Sequence, residues 1–323
     1  QAVARNRHLA PAGAASSAMA SSKRRPLRAA VAAVLAVALT SGLHRSERSA
    51  FVGPRAGRSS ASAAAPRVAL WALAPASPGM VRIEADADAV AAAVMSCVNE
   101  AAEAAIKERG YFALGVPGGS ILNMLAGSTP SWASKTTLAY VNHKCVAMSD
   151  EKLATHAKAS KKFLDGWDGV NTIVMTGSAD GKLEADNYEA QLRALPETVL
   201  PRDSKGMPVF DMMLIGVGDD GHVGSLYPNR DEVLQTDKWV LPVAMKDPPS
   251  ITLSLPVMAG AKRVIIAACG VSEKYPQGKS DAMKRGIEGA EELRSFPAAG
   301  LRPCATWIMD AASASKLSSE YGR

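Results

Sequence analysis

The sequence predicts an α/β fold with a mainly parallel sheet, and three observations support this prediction. Short apolar segments alternate with helical segments in the second part of the chain, which is the order of strands and helices in a parallel sheet. The chain has 323 residues, and about 250 of them follow a basic leader, enough for one large hydrophobic core. Hydrophobic residues make up 47% and charged residues 21%, which excludes a disordered or fibrous chain.

The first predicted element is a helix at residues 86–109. Apolar residues recur in it at three- and four-residue steps and form a stripe along one face. Asp86 or Asp88 can cap the start of this helix, and Gly110 can end it.

The remaining elements continue the alternation. Short apolar runs predict strands, and segments with helical periodicity predict helices. The predicted strands lie at 111–116, within 138–148, and at 171–175, 210–217, 263–268 and 304–309. The predicted helices lie at 121–126, 183–195 and 280–293.

Charge is distributed unevenly along the chain. Residues 1–70 contain 11 Lys or Arg and one acidic residue, Glu47, for a net charge of +10. The other residues contain 26 basic and 30 acidic groups, a net charge of −4. A mildly acidic body gives no electrostatic reason to bind nucleic acid. The four cysteines lack the spacing of a zinc site, so we expect reduced thiols and no metal.

Residues 1–79 are predicted to be a targeting leader, and residues 80–323 the folded domain. From Met19, basic residues precede an apolar run of 11 residues, 29–39, which is the order of a signal peptide. The run is too short to span a bilayer, so stable membrane insertion is not expected. The basic, Ser- and Ala-rich segment from Phe51 has the composition of a transit peptide. Together they resemble the bipartite leaders of secondary plastids and predict a plastid protein, with an Ala-rich extension of a cytoplasmic protein as the alternative.

Three segments with chemically informative residues each follow a predicted strand. They are residues 118–120, 149–152 and 218–222. Ligands of open α/β sheets bind beyond the carboxyl ends of the strands. We therefore expect one edge of the sheet to bring all three segments together.

The Gly118-Gly119-Ser120 turn suits an anion such as phosphate. Glycines allow close approach of the backbone, and the following helix start offers unpaired N–H groups. An ordinary strand–helix turn is the alternative, because such turns are common. His222 can act as a general base, because an imidazole ionises near neutral pH and a nearby carboxylate can orient it. A structural or solvated histidine is the alternative.

The residues around His222 resemble a known family. Segment 218–228, Gly-Asp-Asp-Gly-His-Val-Gly-Ser-Leu-Tyr-Pro, is similar to the Gly-x-x-Asp-Gly-His-x-x-Ser-Leu-Phe-Pro signature of the 6-phosphogluconolactonases. Five more segments resemble family motifs and occur in the family's order. Segment 114–125 resembles the Ser-Gly-Gly-Ser segment, and segment 150–152 resembles Asp-Glu-Arg. The other three are 248–256, which resembles Pro-Pro-x-Arg-Ile-Thr-Leu-Thr-Leu-Pro, 277–284, which resembles the Gly-Lys helix start, and 306–312, which resembles Trp-x-x-Asp-x-Ala-Ala. The matches cover about residues 80–318.

The resemblance implies a Rossmann-like α/β domain with helices on both faces of the sheet, a fold shared with glucosamine-6-phosphate isomerases. It implies hydrolysis of 6-phosphogluconolactone in the oxidative pentose phosphate route, with no metal and no cofactor. The implied partner is a small sugar-phosphate substrate, and no protein partner is inferred.

The resemblance also implies roles for individual residues. His222 would be the general base, and Asp150 would lie beside it and position water or substrate. Five residues would hold the phosphate, namely Gly118, Gly119, Ser120, Lys152 and Lys279. Asp220 and Gly221 would shape the His222 loop.

The chain departs from the family pattern at two arginines. Lys152 stands where the family has the Arg of Asp-Glu-Arg, and Ser250 stands where it has an Arg before Ile-Thr. The link before Lys279 is long, so Lys274 is a rival for the phosphate lysine. Two alternatives therefore stay open: an aminosugar-phosphate isomerase or deaminase, and a non-catalytic descendant that binds a sugar phosphate or a protein.

Overall fold

The computed structural model describes residues 79–271 and 278–321. The predicted leader, up to residue 78, and Lys274 lie outside the described residues. Two sheets are seen within the described residues, one with seven strands and one with three.

The large sheet is parallel throughout and forms the centre of the fold. Its strands, in chain order, are β1 (Val81–Glu84), β2 (Phe112–Val116), β3 (Thr136–Tyr140), β5 (Asn171–Ile173), β6 (Met212–Ile215), β9 (Arg263–Ala268) and β10 (Ala305–Asp310). Their order across the sheet is β1-β10-β9-β6-β2-β3-β5, and every neighbouring pair is parallel. The predicted α/β class with a mainly parallel sheet is confirmed.

The core lies along the middle strands. Every residue of β2, β3 and β6 is buried, because helices and loops cover a parallel sheet instead of leaving one face to water. Leu114 of β2 pairs with Leu138 of β3 on one side and with Met212 of β6 on the other.

The helices are α1 (Ala87–Arg109), α2 (Ile121–Met124), α3 (Thr155–Lys162), α4 (Gly181–Ala194), α5 (Leu255–Ala259) and α6 (Ser280–Glu288). Helix α1 begins and ends as predicted: Asp86 accepts a hydrogen bond of 2.9 Å from the N–H of Ala89, and Gly110 has a φ of 89°. Among the described residues, α1 alone is long and apolar enough to cross a membrane, but it packs against β9 and β10.

The small sheet is antiparallel and consists of β4 (Asn142–Lys144), β7 (Val240–Val243) and β8 (Ser250–Leu253), in the order β4-β8-β7. It is joined to the large sheet at Val141, whose N–H donates to Val116 (2.9 Å) and whose carbonyl accepts from Leu253 (2.7 Å). The single strand predicted within 138–148 is therefore two strands in two sheets.

Other predicted elements differ only in their ends. The helix predicted at 280–293 ends at Glu288, because Gly289 leaves the helical conformation and its N–H bonds to Arg285. The strand predicted at 210–217 is shorter in the structure, where β6 spans Met212–Ile215. Strands β1, β7 and β8 and helices α3 and α5 were not predicted.

Candidate active site

The order of the strands defines a crevice between β2 and β6. From β2 the chain continues to β3 on one side, whereas β6 lies on the other side of β2. Such a switch point leaves space beyond the carboxyl ends of the two strands, and this space is the usual ligand site of open α/β sheets. The Gly118-Gly119-Ser120 turn follows β2, and the His222 loop follows β6.

The His222 loop is a tight turn. The N–H of Gly218 donates to the carbonyl of His222 (2.9 Å), and the N–H of Gly221 donates to the carbonyl of Gly218 (3.0 Å). Gly221 has a φ of 86°, in the left-handed region that favours glycine. A Cβ atom at Gly221 would lie 2.3 Å from Cδ2 of Phe296, so the ring of Phe296 occupies the space beside this turn.

Asp220 is the carboxylate that contacts the imidazole of His222. Nδ1 of His222 lies 2.6 Å from Oδ1 of Asp220, and the backbone N–H of His222 donates to the same oxygen at 3.1 Å. A carboxylate accepts, so Nδ1 carries the hydrogen, and in the neutral imidazole the lone pair is on Nε2. Partial burial opposes ionisation of Asp220, but the hydrogen bonds from His222 outweigh it and lower the pKa of Asp220.

Tyr227 covers the imidazole from the same loop. The two ring centroids are 4.9 Å apart, with an angle of 38° between the ring planes. On Tyr227, in turn, lies the ammonium of Lys246, 4.6 Å from the ring centroid. The side chain of His222 is 29% exposed, so the imidazole is held on several sides and still reaches solvent.

The glycine turn lies between the His222 loop and helix α3. A Cβ atom at Gly216, just after β6, would lie 3.7 Å from Cγ1 of Ile121, the first residue after the turn. One at Gly118 would lie 3.1 Å from Oγ1 of Thr155, at the start of α3. Ser120 is exposed and its hydroxyl makes no capping bond to helix α2.

Asp150 has local partners. Its Oδ1 accepts from the backbone N–H groups of Lys152 and Leu153, both at 2.9 Å. These bonds order the chain just before α3, so the structure gives Asp150 a turn-forming contact, whereas Asp220 contacts His222. Lys152 is exposed in this turn. The predicted role of Asp150 in positioning water or substrate stays a prediction.

Lys279 approaches the His222 loop from the segment that follows β9. Its Nζ donates to the carbonyl of Val217, at the start of the loop. Val217 also forms a β-bridge with Val223 on the other side of His222. Lys279 therefore lies at the base of the loop that carries the imidazole, and Lys274 lies outside the described residues.

Two further histidines lie near this edge, of which His143 is buried and His156 is half-buried. Nδ1 of His143 lies 2.7 Å from the carbonyl of Lys144, and its Nε2 accepts from the N–H of His156 at 3.0 Å. Burial lowers the pKa of both histidines. Nδ1 of His156 is 2.9 Å from the hydroxyl of Tyr140. The neutral form of His143 therefore has both nitrogens bonded.

Within residues 79–271 and 278–321, no group of three or more His, Cys, Asp or Glu side chains could hold a metal ion. The polar groups gathered beyond β2 and β6 are an imidazole with its carboxylate, backbone N–H groups, a hydroxyl and ammonium groups.

Known proteins resemble this chain over most of its folded part. The family model of glucosamine-6-phosphate isomerases/6-phosphogluconolactonase matches residues 85–309. The chain is 30% identical over 256 residues to human 6-phosphogluconolactonase, covering 74% of this chain and 94% of the human protein. It is also 30% identical over 255 residues to a probable 6-phosphogluconolactonase 1 of rice, covering 73% and 84%.

The chain belongs to the 6-phosphogluconolactonase family. The crystal structure of 6-phosphogluconolactonase from Leishmania guyanensis has the same fold, with a TM-score of 0.61 at 20% identity, covering 74% of this chain and 98% of that one. The Trypanosoma brucei structure gives 0.60 at 21% identity, covering 74% and 98%. The family resemblance predicted from the six motifs is confirmed.

The structure places two further residues near His222. Tyr227 and Lys246 were not predicted as site residues. Tyr227 could have been suspected from its place five residues after His222 in the signature. Lys246 is 24 positions from His222, and only the packing of the β7–β8 loop brings it to this site.

Proposed function

We propose that this protein hydrolyses 6-phosphogluconolactone to 6-phosphogluconate, a step of the oxidative pentose phosphate route. The observation that carries the proposal is the Asp220–His222 pair, held on a glycine turn at the switch point of a parallel sheet. Family membership and the names of the relatives support the same substrate.

In the proposed mechanism, Nε2 of His222 takes a proton from a water molecule. The water oxygen forms a bond to the lactone carbonyl carbon, and a tetrahedral intermediate results. The ring C–O bond then breaks, and the proton passes from the imidazolium to the leaving ring oxygen. The product is the open hydroxy acid, so atoms and charge balance without a covalent enzyme intermediate.

Asp220 has two tasks in this mechanism. It fixes the imidazole in the tautomer whose Nε2 accepts a proton, and it stabilises the imidazolium after proton transfer. A lactone is an activated ester, so a positioned base and water suffice. General-base catalysis contributes about 10²–10⁴-fold, and holding the distant phosphate adds correct positioning.

For the phosphate we propose backbone N–H groups of the glycine turn, the Ser120 hydroxyl and the lysines near the loop. Gly119 has a φ of 81° and open space beside its Cα, which gives an anion room to approach the backbone. Lys279 contributes charge beneath the loop, and Lys152 or Lys274 would add to it. Lys279→Met should raise KM more than it lowers kcat.

The test of the proposed function is lactone hydrolysis by the full chain, with the spontaneous rate subtracted. His222→Gln removes the base but keeps a polar side chain of similar length, and should lower kcat by about 10²–10⁴-fold. Its circular dichroism and melting temperature should match the parent. A parent with no rate above background, or a variant with the parental rate, would refute the proposal. Ammonia release from an aminosugar phosphate would indicate the isomerase chemistry instead, and binding of the sugar phosphate without turnover would indicate a non-catalytic descendant.

We also propose that the protein is imported into a plastid. The support is the sequence pattern of residues 1–79, a signal-like apolar run followed by a basic Ser- and Ala-rich segment from Phe51. A fusion of residues 19–79 to a fluorescent protein should enter the plastid of an alga that has a secondary plastid. Replacement of Phe51 by Ala should block the final import step. Cytoplasmic fluorescence of the parental fusion would contradict the proposal.

A further inference from the structure

Lys246 is a cation that lies near His222. It lies in the loop between β7 and β8 and is exposed. Its ammonium lies over the ring of Tyr227, and it forms no ion pair among the residues that the structure describes. By contrast, the ammonium groups of Lys182, Lys262 and Lys316 each lie within 2.7 Å of a carboxylate oxygen.

The contact with Tyr227 positions the ammonium of Lys246 and does not neutralise its positive charge. A cation over an aromatic face is attracted by the ring quadrupole, whereas a carboxylate would supply an opposite charge. The same ring packs against the imidazole of His222, with 4.9 Å between centroids. Tyr227 therefore contacts both groups, and the ammonium of Lys246 is held near the base.

We propose that Lys246 binds the phosphate of the lactone substrate and that Tyr227 positions it for this task. The proposal rests on the proposed lactonase function. The Tyr227 ring contacts both the ammonium and the imidazole, so Lys246 lies beside the base that would serve the lactone carbonyl. The phosphate is the anionic group of the substrate that lies away from that carbonyl. A flexible lysine bears a compact, mobile charge that suits phosphate oxygens.

The first test compares a phosphorylated and an unphosphorylated lactone. Lys246→Met should raise KM for 6-phosphogluconolactone about 10-fold or more, because it removes a charge-assisted hydrogen bond to the phosphate. For glucono-1,5-lactone, which lacks the phosphate, the change in kcat/KM should be less than about twofold. Lys246→Arg keeps the charge and should restore most of the affinity. Lys238→Met is the matched control, because Lys238 is also exposed but lies near Asp186.

The results separate the two proposals. If the parent hydrolyses the phosphorylated lactone and Lys246→Met has the parental KM, the role of Lys246 is refuted and the proposed function stands. Equal losses on both lactones would also refute it, because they would indicate a disturbed His222 loop. If the parent hydrolyses neither lactone, the proposed function fails first.

A second variant tests the ring. Tyr227→Leu removes the aromatic face and should raise KM for the phosphorylated lactone, because the ammonium is no longer held in place. Tyr227→Phe keeps the face and should give a clearly smaller increase. Equal effects of the two substitutions would refute the positioning role of Tyr227.

Discussion

Asp220 and His222 are two positions apart in one turn, and a single carboxylate oxygen of Asp220 meets both the ring Nδ1 (2.6 Å) and the backbone N–H (3.1 Å) of His222. The carboxylate therefore fixes the orientation of the imidazole and the fold of the loop together. Both residues belong to the same turn, so folding of this turn is enough to form the contact.

Asp220→Asn should lower kcat by about 10²–10⁴-fold with little change in KM. An amide can present its N–H₂ to Nδ1, which would favour the tautomer that has no lone pair on Nε2. The measurement is steady-state lactone hydrolysis. Asp219→Asn changes the neighbouring exposed carboxylate and should retain the parental kcat within about twofold. A parental kcat in Asp220→Asn would show that the carboxylate does not act on the base.

Gly221→Ala should destabilise the fold and lower activity. A non-glycine residue at a φ of 86° costs about 1–2 kcal/mol, and the new Cβ would meet the Phe296 ring at 2.3 Å, which adds about 1–3 kcal/mol. Urea unfolding gives the free-energy change. Gly127→Ala is the control, because Gly127 has a φ of 70° but open space beside it. Equal losses of unfolding free energy in the two variants would mean that the Phe296 ring moves aside without destabilising the fold.

Asp211→Ala should lower the free energy of unfolding by about 3–5 kcal/mol. The Asp211 carboxylate is 3% exposed. It accepts hydrogen bonds from both terminal nitrogens of Arg109 and, at 2.8 Å, from the backbone N–H of Ala113. Asp211 immediately precedes β6, at the end of the strand opposite the His222 loop. At a temperature where the variant is folded, kcat should therefore be parental.

A double variant sharpens the Asp211 experiment. Arg109→Met with Asp211→Leu removes both charges and should be more stable than Asp211→Ala, because no unpaired guanidinium is left partly buried. If the single variant were as stable as the parent, this ion pair would contribute nothing to the fold.

The free energy of unfolding should fall as the pH is lowered from 7 to 5. Burial lowers the pKa of His143 and of His156 below 6.5. The unfolded chain then takes up protons that the folded chain resists, so stability present above pH 6.5 is lost as the pH falls toward the folded pKa values. His143→Gln, measured by urea unfolding at several pH values, should have a shallower slope than the parent. A parental slope would show that His143 takes up protons equally in the folded and the unfolded chain.

Local signals in the sequence were sufficient for helix α1. The capping carboxylate of Asp86 and the left-handed Gly110 act within one turn of the helix, so the residue pattern alone marks both ends. The strands β2 and β9 were also predictable, because continuous apolar runs are typical of strands buried on both faces.

Elements that depend on distant partners were missed. Strand β1 is short and half-buried, and it is held by pairing with β10. Strand β7 contains Pro242, which argues against a strand, but β7 lies at the edge of the small sheet, where proline is tolerated.

The candidate site was predictable to the extent that it is local. The motifs gave the glycine turn and His222, and the strand order explains why they meet. The carboxylate in contact with the imidazole is Asp220, which the resemblance implied only as a residue that shapes the loop, and the place of Asp150 beside the imidazole stays a prediction. Lys246 reaches Tyr227 through the packing of one loop on another, which no short sequence pattern encodes.

The parallel pairing of β1 with β10 has a consequence for biogenesis. Val81 pairs with Trp307, so β1 waits for a partner strand that the ribosome makes more than 200 residues later. Contacts of such long sequence separation slow folding. If the chain enters a compartment amino end first, its large sheet is therefore complete only after β10 has crossed. Until then the chain stays unfolded enough to be translocated and needs protection from aggregation.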